Sequence, residues 1–161
     1  MDRYVEKNRV VVTGIGIITP IGIGVDAFWE SAIHGKSGIS MISRFNVESY
    51  PTKIAGEIKS FHPEKYMPGD LADALCRYSQ LGLAAAQMAV RDANLELNSL
   101  NKNKVGISIG VGAETLLYYD EKTAIENNKY TLRIKPPVEN RNIANVISDY
   151  FHFSGQNLVV A

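Results

Sequence analysis

The sequence is short of several things that would each point to a function. Of its 161 residues one is a cysteine, Cys76, so no intramolecular disulfide can form and a zinc site built from several cysteines is excluded. A single cysteine also suits a reducing compartment. Charge of one sign is missing: 17 Lys and Arg balance 17 Asp and Glu, without the basic surface that non-specific nucleic-acid binding needs. A long hydrophobic run is missing too. The apolar stretch Val10–Val25 is shorter than the ~20 residues of a membrane-spanning helix, and Pro20 and several glycines interrupt it. Acidic Asp2 and Glu6 lie upstream and no small-x-small site follows, so it does not read as a signal peptide. These absences point to a soluble cytoplasmic protein with no nucleic-acid or membrane partner. No tandem repeat or low-complexity linker divides the chain, and 45% hydrophobic residues suffice for one globular core.

What is present begins with "RVVVTGIGIITPIGIG". The β-branched run over residues 10–17 predicts a fully buried first strand. Its glycines do not make a nucleotide loop. A dinucleotide fold requires Gly-x-Gly-x-x-Gly directly after the strand, and here Thr19 and Pro20 follow Gly14-Ile15-Gly16. A second register from Gly22 lies beyond that proline, and Gly35-Lys36-Ser37 lacks the earlier glycine of a phosphate loop.

Further along, Asp26 is the expected cap of a helix over Ala27–Ile33, ended at His34-Gly35. Gly35–Ser40 reads as a turn, Thr52–Ile58 as a short edge strand and Asp70 as another cap. From Ser79 to Ala93 alanines and leucines lie on all sides, which predicts a helix buried between layers. Lys104–Gly112 reads as a second buried strand, 115–127 as helix, 127–137 as irregular and Asn140–Phe153 as helix. Asn157–Ala161 begins another buried strand. Alternating strands and helices predict an α/β fold with a mainly parallel sheet.

Several motifs in order carry a family resemblance. They are Val11-Val12-Thr13-Gly14-Ile15-Gly16, the Thr19-Pro20-Ile21-Gly22 turn, Trp29, and Gly35-Lys36-Ser37-Gly38-Ile39. "CRYSQLGLAAAQMAVRDANL", "KVGISIGVG" and "NIANVISDYFHFSGQNLVVA" follow at matching places. The sequence resembles the β-ketoacyl-[acyl-carrier-protein] synthases, condensing enzymes of fatty-acid and polyketide synthesis, over essentially its whole length.

The resemblance implies a thiolase-like αβαβα layered fold, of which the chain supplies the N-terminal half. It implies an acyltransferase that joins an acyl thioester to malonyl-carrier protein by decarboxylative Claisen condensation. The expected nucleophile, the cysteine of Thr-Ala-Cys, lies just beyond Ala161, so residues 1–161 contain no catalytic residue and are expected to be inactive alone. The alternative is a non-catalytic truncated product or a chain-length-factor-like partner subunit. By the same resemblance Ala113 and Val138 line the acyl pocket, and Asn142, Asn145 and Val146 lie near a dimer interface. No metal is implied, and no cofactor beyond the phosphopantetheine carried by the acyl carrier protein. The expected partners are that carrier and a second condensing-enzyme subunit, identical or different. Two departures are Ala113-Glu114-Thr115, where many members have Gly-Gly, and Gly155-Gln156 in place of Gly-Pro. Cys76 is expected to be an ordinary half-buried thiol, and His34, His62 and His152 to be structural, the last within an aromatic cluster.

Overall fold

A computed structural model describes residues 9–112, 125–126, 129–130 and 142–160. The first feature is a tight hairpin. Strands β1 (Ile18–Thr19) and β2 (Gly22–Ile23) pair antiparallel around Pro20-Ile21, with Ile18 opposite Ile23. Proline fixes φ for the turn. The Thr19 hydroxyl closes it, accepting from the Gly22 N–H at 3.2 Å and donating to the Gly22 carbonyl at 3.0 Å.

Helix α1 (Val25–Ile33) follows at once. Its cap is Gly24, at φ 91°, a conformation that an L side chain rarely adopts, and not Asp26. Asp26 instead sits in the first turn, where the helix dipole favours an anion. A second hairpin, β3 (Ile39–Met41) with β4 (Ile54–Gly56), lies over the first turn, with Gly56 against the Pro20 ring.

The expected helix after residue 69 is two helices. Helix α2 (Gly69–Ala74) is capped by Pro68, with Asp70 in its first turn, and α3 spans Arg77–Asp92. Leu75 and Cys76 are extended between them. Every residue of α3 from Arg77 to Val90 is buried or half-buried, as the all-round apolar pattern required, and Leu83 and Ala84 are wholly inaccessible. Arg77 enters this environment by donating from Nη2 to the Ile58 carbonyl at 3.1 Å and resting on the Phe61 ring, 4.8 Å from its centroid.

A 3₁₀ turn at Lys102–Lys104 leads into β5 (Ile107–Gly110). Strands β6 (Ile125–Glu126) and β7 (Lys129–Tyr130) form a short antiparallel pair. This corrects the helix expected over 115–127 at residues 125–126, and the irregular stretch after it at residues 129–130. Helical periodicity was the weaker signal there, because the Asn127-Asn128 pair is a turn signal in the sequence.

Helix α4 (Ile143–Phe151) is buried at Ile143, Ala144, Val146, Ile147, Ser148 and Phe151. It ends on His152 in the left-handed conformation, φ 58°, which lets the Phe153 N–H reach the Ser148 carbonyl at 2.9 Å. That turn sends Phe153 inward to stack on Phe151, with centroids 5.2 Å apart, and leaves His152 exposed. His152 therefore lies on the solvent side of the aromatic cluster, not within it.

The chain closes with β8 (Asn157–Val160), parallel to β5 in the register Ile107↔Asn157 to Gly110↔Val160. One core joins these parts: α3 packs on α4 with Gly82 against Ile143, and α4 packs on β5 and β8.

Expectation and structure part at two strands: β8, expected to be buried, leaves Leu158 and Val160 exposed, and the first strand differs more. Residues 10–17 are not in a sheet, and Val10, Val11 and Val12 are 94%, 63% and 81% exposed. A β-branched run becomes a strand only beside a partner that accepts its ladder, and none of the described residues takes that place. The segment lies across α3 instead. Its Ile15 N–H donates to Asp92 Oδ2 at 2.8 Å, and the Gly24 N–H donates to the Ile17 carbonyl at 2.8 Å. Gly14 and Gly16 face the ridge of Ala85, Ala89 and Ala93, one turn apart on α3, so close that a Cβ on either would overlap the helix backbone. The two glycines serve helix packing.

Candidate functional site

Parallel strands expose their carboxyl ends together, and in α/β sheets that edge is where ligands bind. Here the edge is formed by Gly110, Val111, Gly112 and Val160, with the Val111 N–H donating to the Val160 carbonyl at 2.8 Å. A Cβ at Gly110 or Gly112 would meet nothing within 4 Å among the described residues. Two glycines at the opposite end set how β8 approaches β5. Gly106 and Gly155 lie against the facing backbone at Gln156 and Val105, and the Ile107 N–H donates to the Gln156 carbonyl at 3.0 Å.

Behind the strands runs a chain of polar side chains. Asn142 caps α4, its Oδ1 accepting from the Asn145 N–H at 2.9 Å. Asn145 Oδ1 accepts from Asn157 Nδ2 at 3.1 Å, and Ser148 Oγ donates to Asn157 Oδ1 at 2.9 Å. Asn145 and Ser148 are three apart and share the face of α4 that meets β8. Two of the residues expected near a dimer interface, Asn142 and Asn145, are thus engaged within the chain, and the third, Val146, lies in the core at 8% exposure. Ala113 and Val138, expected in the acyl pocket, lie outside the described residues, as does Ala161.

Reasoning from sequence missed Asn157 and Ser148. The signal was there: Ser148 interrupts the apolar face of α4 and Asn157 opens an apolar strand, and a buried hydroxyl requires a partner.

The remaining candidates stand apart from this edge. Cys76 is exposed at the N-cap of α3, its Sγ 3.3 Å from Ser79 Oγ, which corrects the half-buried expectation. The break between α2 and α3 turns it outward. His34 Nδ1 lies 2.8 Å from the Glu30 carbonyl and 3.2 Å from its carboxylate, and His62 Nδ1 lies 3.2 Å from Glu64. Among the described residues no three His, Cys, Asp or Glu side chains gather as metal ligands. No described helix is long and apolar enough to cross a membrane.

One buried carboxylate ties down a loop. Glu57, 8% exposed, accepts from the Ser43 hydroxyl at 2.8 Å, from the Ser43 N–H at 3.0 and 3.1 Å, and from the Arg44 N–H at 3.2 Å. Burial alone would raise its pKa. The hydrogen bonds from Ser43 and Arg44, with the nearby Lys59, outweigh burial and hold it below the ordinary 4.5.

Comparison with solved structures defines the class. The ishigamide ketosynthase/chain length factor superposes on 94% of this chain and 39% of its own, with TM-score 0.72 and 27% identity. The ketosynthase of the AntDE:AntF complex, a type II polyketide synthase bound to its acyl-carrier protein, superposes on 94% and 41% with TM-score 0.65 and 25% identity. The fold is the thiolase-like α/β fold of ketosynthases.

The sequence narrows this further. The model of "Beta-ketoacyl synthase, N-terminal domain" matches residues 7–161, and the chain belongs to that family. The 3-oxoacyl-[acyl-carrier-protein] synthase 2 of Synechocystis sp. is 34% identical over 143 residues, 89% of this chain and 34% of that protein. Enzymes of the same name from Staphylococcus aureus and Coxiella burnetii are 38% and 37% identical over 107 residues, 66% of this chain and 26% of theirs. The chain therefore spans about a third or less of the curated relatives it matches.

Proposed function

We propose that the chain is the N-terminal part of a 3-oxoacyl-[acyl-carrier-protein] synthase. The observation that carries this reading is the family match from residue 7 to residue 161, which runs unbroken through β5, α4 and β8. In the whole protein β8 leads to the nucleophilic cysteine, followed by a C-terminal half. The thiolate takes an acyl group from the carrier's phosphopantetheine thioester and releases the carrier thiol. Malonyl-carrier protein then loses carbon dioxide, its enolate attacks the acyl carbonyl, and the cysteine leaves as thiolate. The product is a 3-oxoacyl thioester on the carrier. A thiolate nucleophile and amides aimed at the developing oxyanion suffice for this chemistry.

The acyl pocket includes Ala113 and Val138. The small side chain of Ala113 leaves room for a longer acyl group. A second subunit docks near the start of α4, at Asn142 and Asn145, with Val146 backing that turn from the core. The acyl carrier protein is the second partner, in line with the carrier complex of the AntDE:AntF ketosynthase. The reaction takes place in the cytoplasm.

Reading the gene past Ala161 is the first test. Thr-Ala-Cys supports the enzyme, another residue in the cysteine's place supports a chain-length-factor-like partner subunit, and a stop codon supports a truncated product. The second test incubates the full-length protein with acyl carrier protein bearing an acyl thioester and looks for the acyl adduct by intact mass. A cysteine-bearing protein that takes no acyl group refutes the reading. Residues 1–161 alone form no adduct.

A further inference from the structure

We propose that Asn157 is a positioning residue that sets where β8 delivers the nucleophile. The proposal rests on the condensing-enzyme reading above. β8 is held laterally by β5, through the ladder from Asn157 to Val160 and the close approach of Gly155 to Val105. Hydrogen bonds within a sheet do not fix how that sheet lies on the helix behind it. That task falls to the packing of α4, whose buried face is apolar at Ile143, Ala144, Val146, Ile147 and Phe151 and polar at Ser148. Apolar contacts are non-directional, so they set the spacing of helix and strand but single out no orientation of a particular residue.

The Asn157 carboxamide removes this freedom, because it uses a donor and an acceptor on two residues of α4. Nδ2 donates to Asn145 Oδ1 at 3.1 Å, and Oδ1 accepts from Ser148 Oγ at 2.9 Å. A planar group held at both ends fixes position and orientation together. Ser148 is 5% exposed, so its hydroxyl is committed to this bond at the cost of an unsatisfied buried group if it is lost. Asn145 is itself fixed, through its backbone N–H, to the Asn142 cap at 2.9 Å. The N-terminal turn of α4 is thereby linked to the first residue of β8, and the strand carries that placement to the edge beside Gly110 and Gly112.

Misplacing a reacting group by about 1 Å costs up to about 100-fold in rate. In the full-length protein, Asn157→Ala is therefore expected to lower kcat about 10- to 100-fold. KM for the acyl-carrier thioester should stay within about twofold and the melting temperature should stay close to wild type. Rates are normalised to the acyl-enzyme titrated by intact mass, so a loss of folded protein does not count as a loss of rate. Alkylation of the nucleophile by iodoacetamide should slow in parallel, and Asn157→Asp, which keeps an oxygen in the Oδ1 position to accept from Ser148, should recover part of both.

A folded Asn157→Ala protein with wild-type kcat per acylated site overturns the proposal. If that variant does not fold, Ser148→Ala, which removes one of the two bonds, should show a smaller loss in the same direction. No loss there overturns the proposal equally. A wild-type protein that takes no acyl group overturns the condensing-enzyme reading and this proposal with it. That failure is distinguishable because it appears before any variant is made.

Discussion

Gly16→Ala tests the packing of the N-terminal segment most directly. At Gly16 the added Cβ would sit 2.8 Å from the carbonyl carbon of Ala85 and 2.9 Å from the amide nitrogen of Ala89, and would overlap the Ala85 carbonyl oxygen. All three are main-chain atoms of α3, so no side chain can swing aside. Carbon contacts are most favourable at about 3.5–4.0 Å, so the segment must withdraw by roughly 1 Å or more. Overpacking of this kind costs about 1–3 kcal/mol. For a domain of this size each kcal/mol moves the melting temperature by about 2–4 °C. The withdrawal also breaks the bond from Ile15 N–H to Asp92, 2.8 Å long in the wild type. Urea denaturation should show a lower midpoint at unchanged slope, and hydrogen exchange should show the Ile15 amide losing protection while Leu83 keeps its own. An unchanged midpoint with unchanged exchange at Ile15 would refute the close packing of this segment on α3.

Leu83→Ala empties a wholly inaccessible site and should cost about 2–5 kcal/mol in the same denaturation assay. Asn142→Ala removes the cap of α4 and should cost about 1 kcal/mol, visible as increased exchange in the first turn of that helix. Glu57 has a folded pKa below 4.5, so its contribution is fully present above pH 4.5 and is lost as pH falls through the lower folded value. An acid titration should therefore lose less stability in Glu57→Gln than in wild type, and equal losses would exclude Glu57 as a cause. Cys76 is exposed, so a thiol reagent should label it in the native protein as fast as in urea.

Much of the fold was legible because its signals are local. The Thr19-Pro20-x-Gly22 turn, the span of α1 and the all-round apolar pattern of α3 each follow from a few neighbouring residues. Caps were less legible: Asp26 and Asp70 satisfy the dipole of a first turn, while Gly24 and Pro68 set the backbone. The first strand was misjudged for a non-local reason. Val10, Val11 and Val12 have the composition of a central strand, but strand formation depends on a neighbour that composition cannot name. The candidate site was legible mainly through resemblance. Its polar support at Asn157 and Ser148 depends on two elements meeting, and only the geometry of α4 against β8 reveals it.

The sequence has one tryptophan, Trp29, and α1 holds it 62% exposed, with Val25 and Ile33 at one-turn intervals on either side. This gives the molecule a native optical label at an exposed site. Its emission in the free chain should be red-shifted and readily quenched by acrylamide, and melting of Leu83 and its neighbours should change it little. The same property makes the indole a sensitive indicator of assembly: any surface that covers α1 will shift the emission to the blue without a dye or a label being attached.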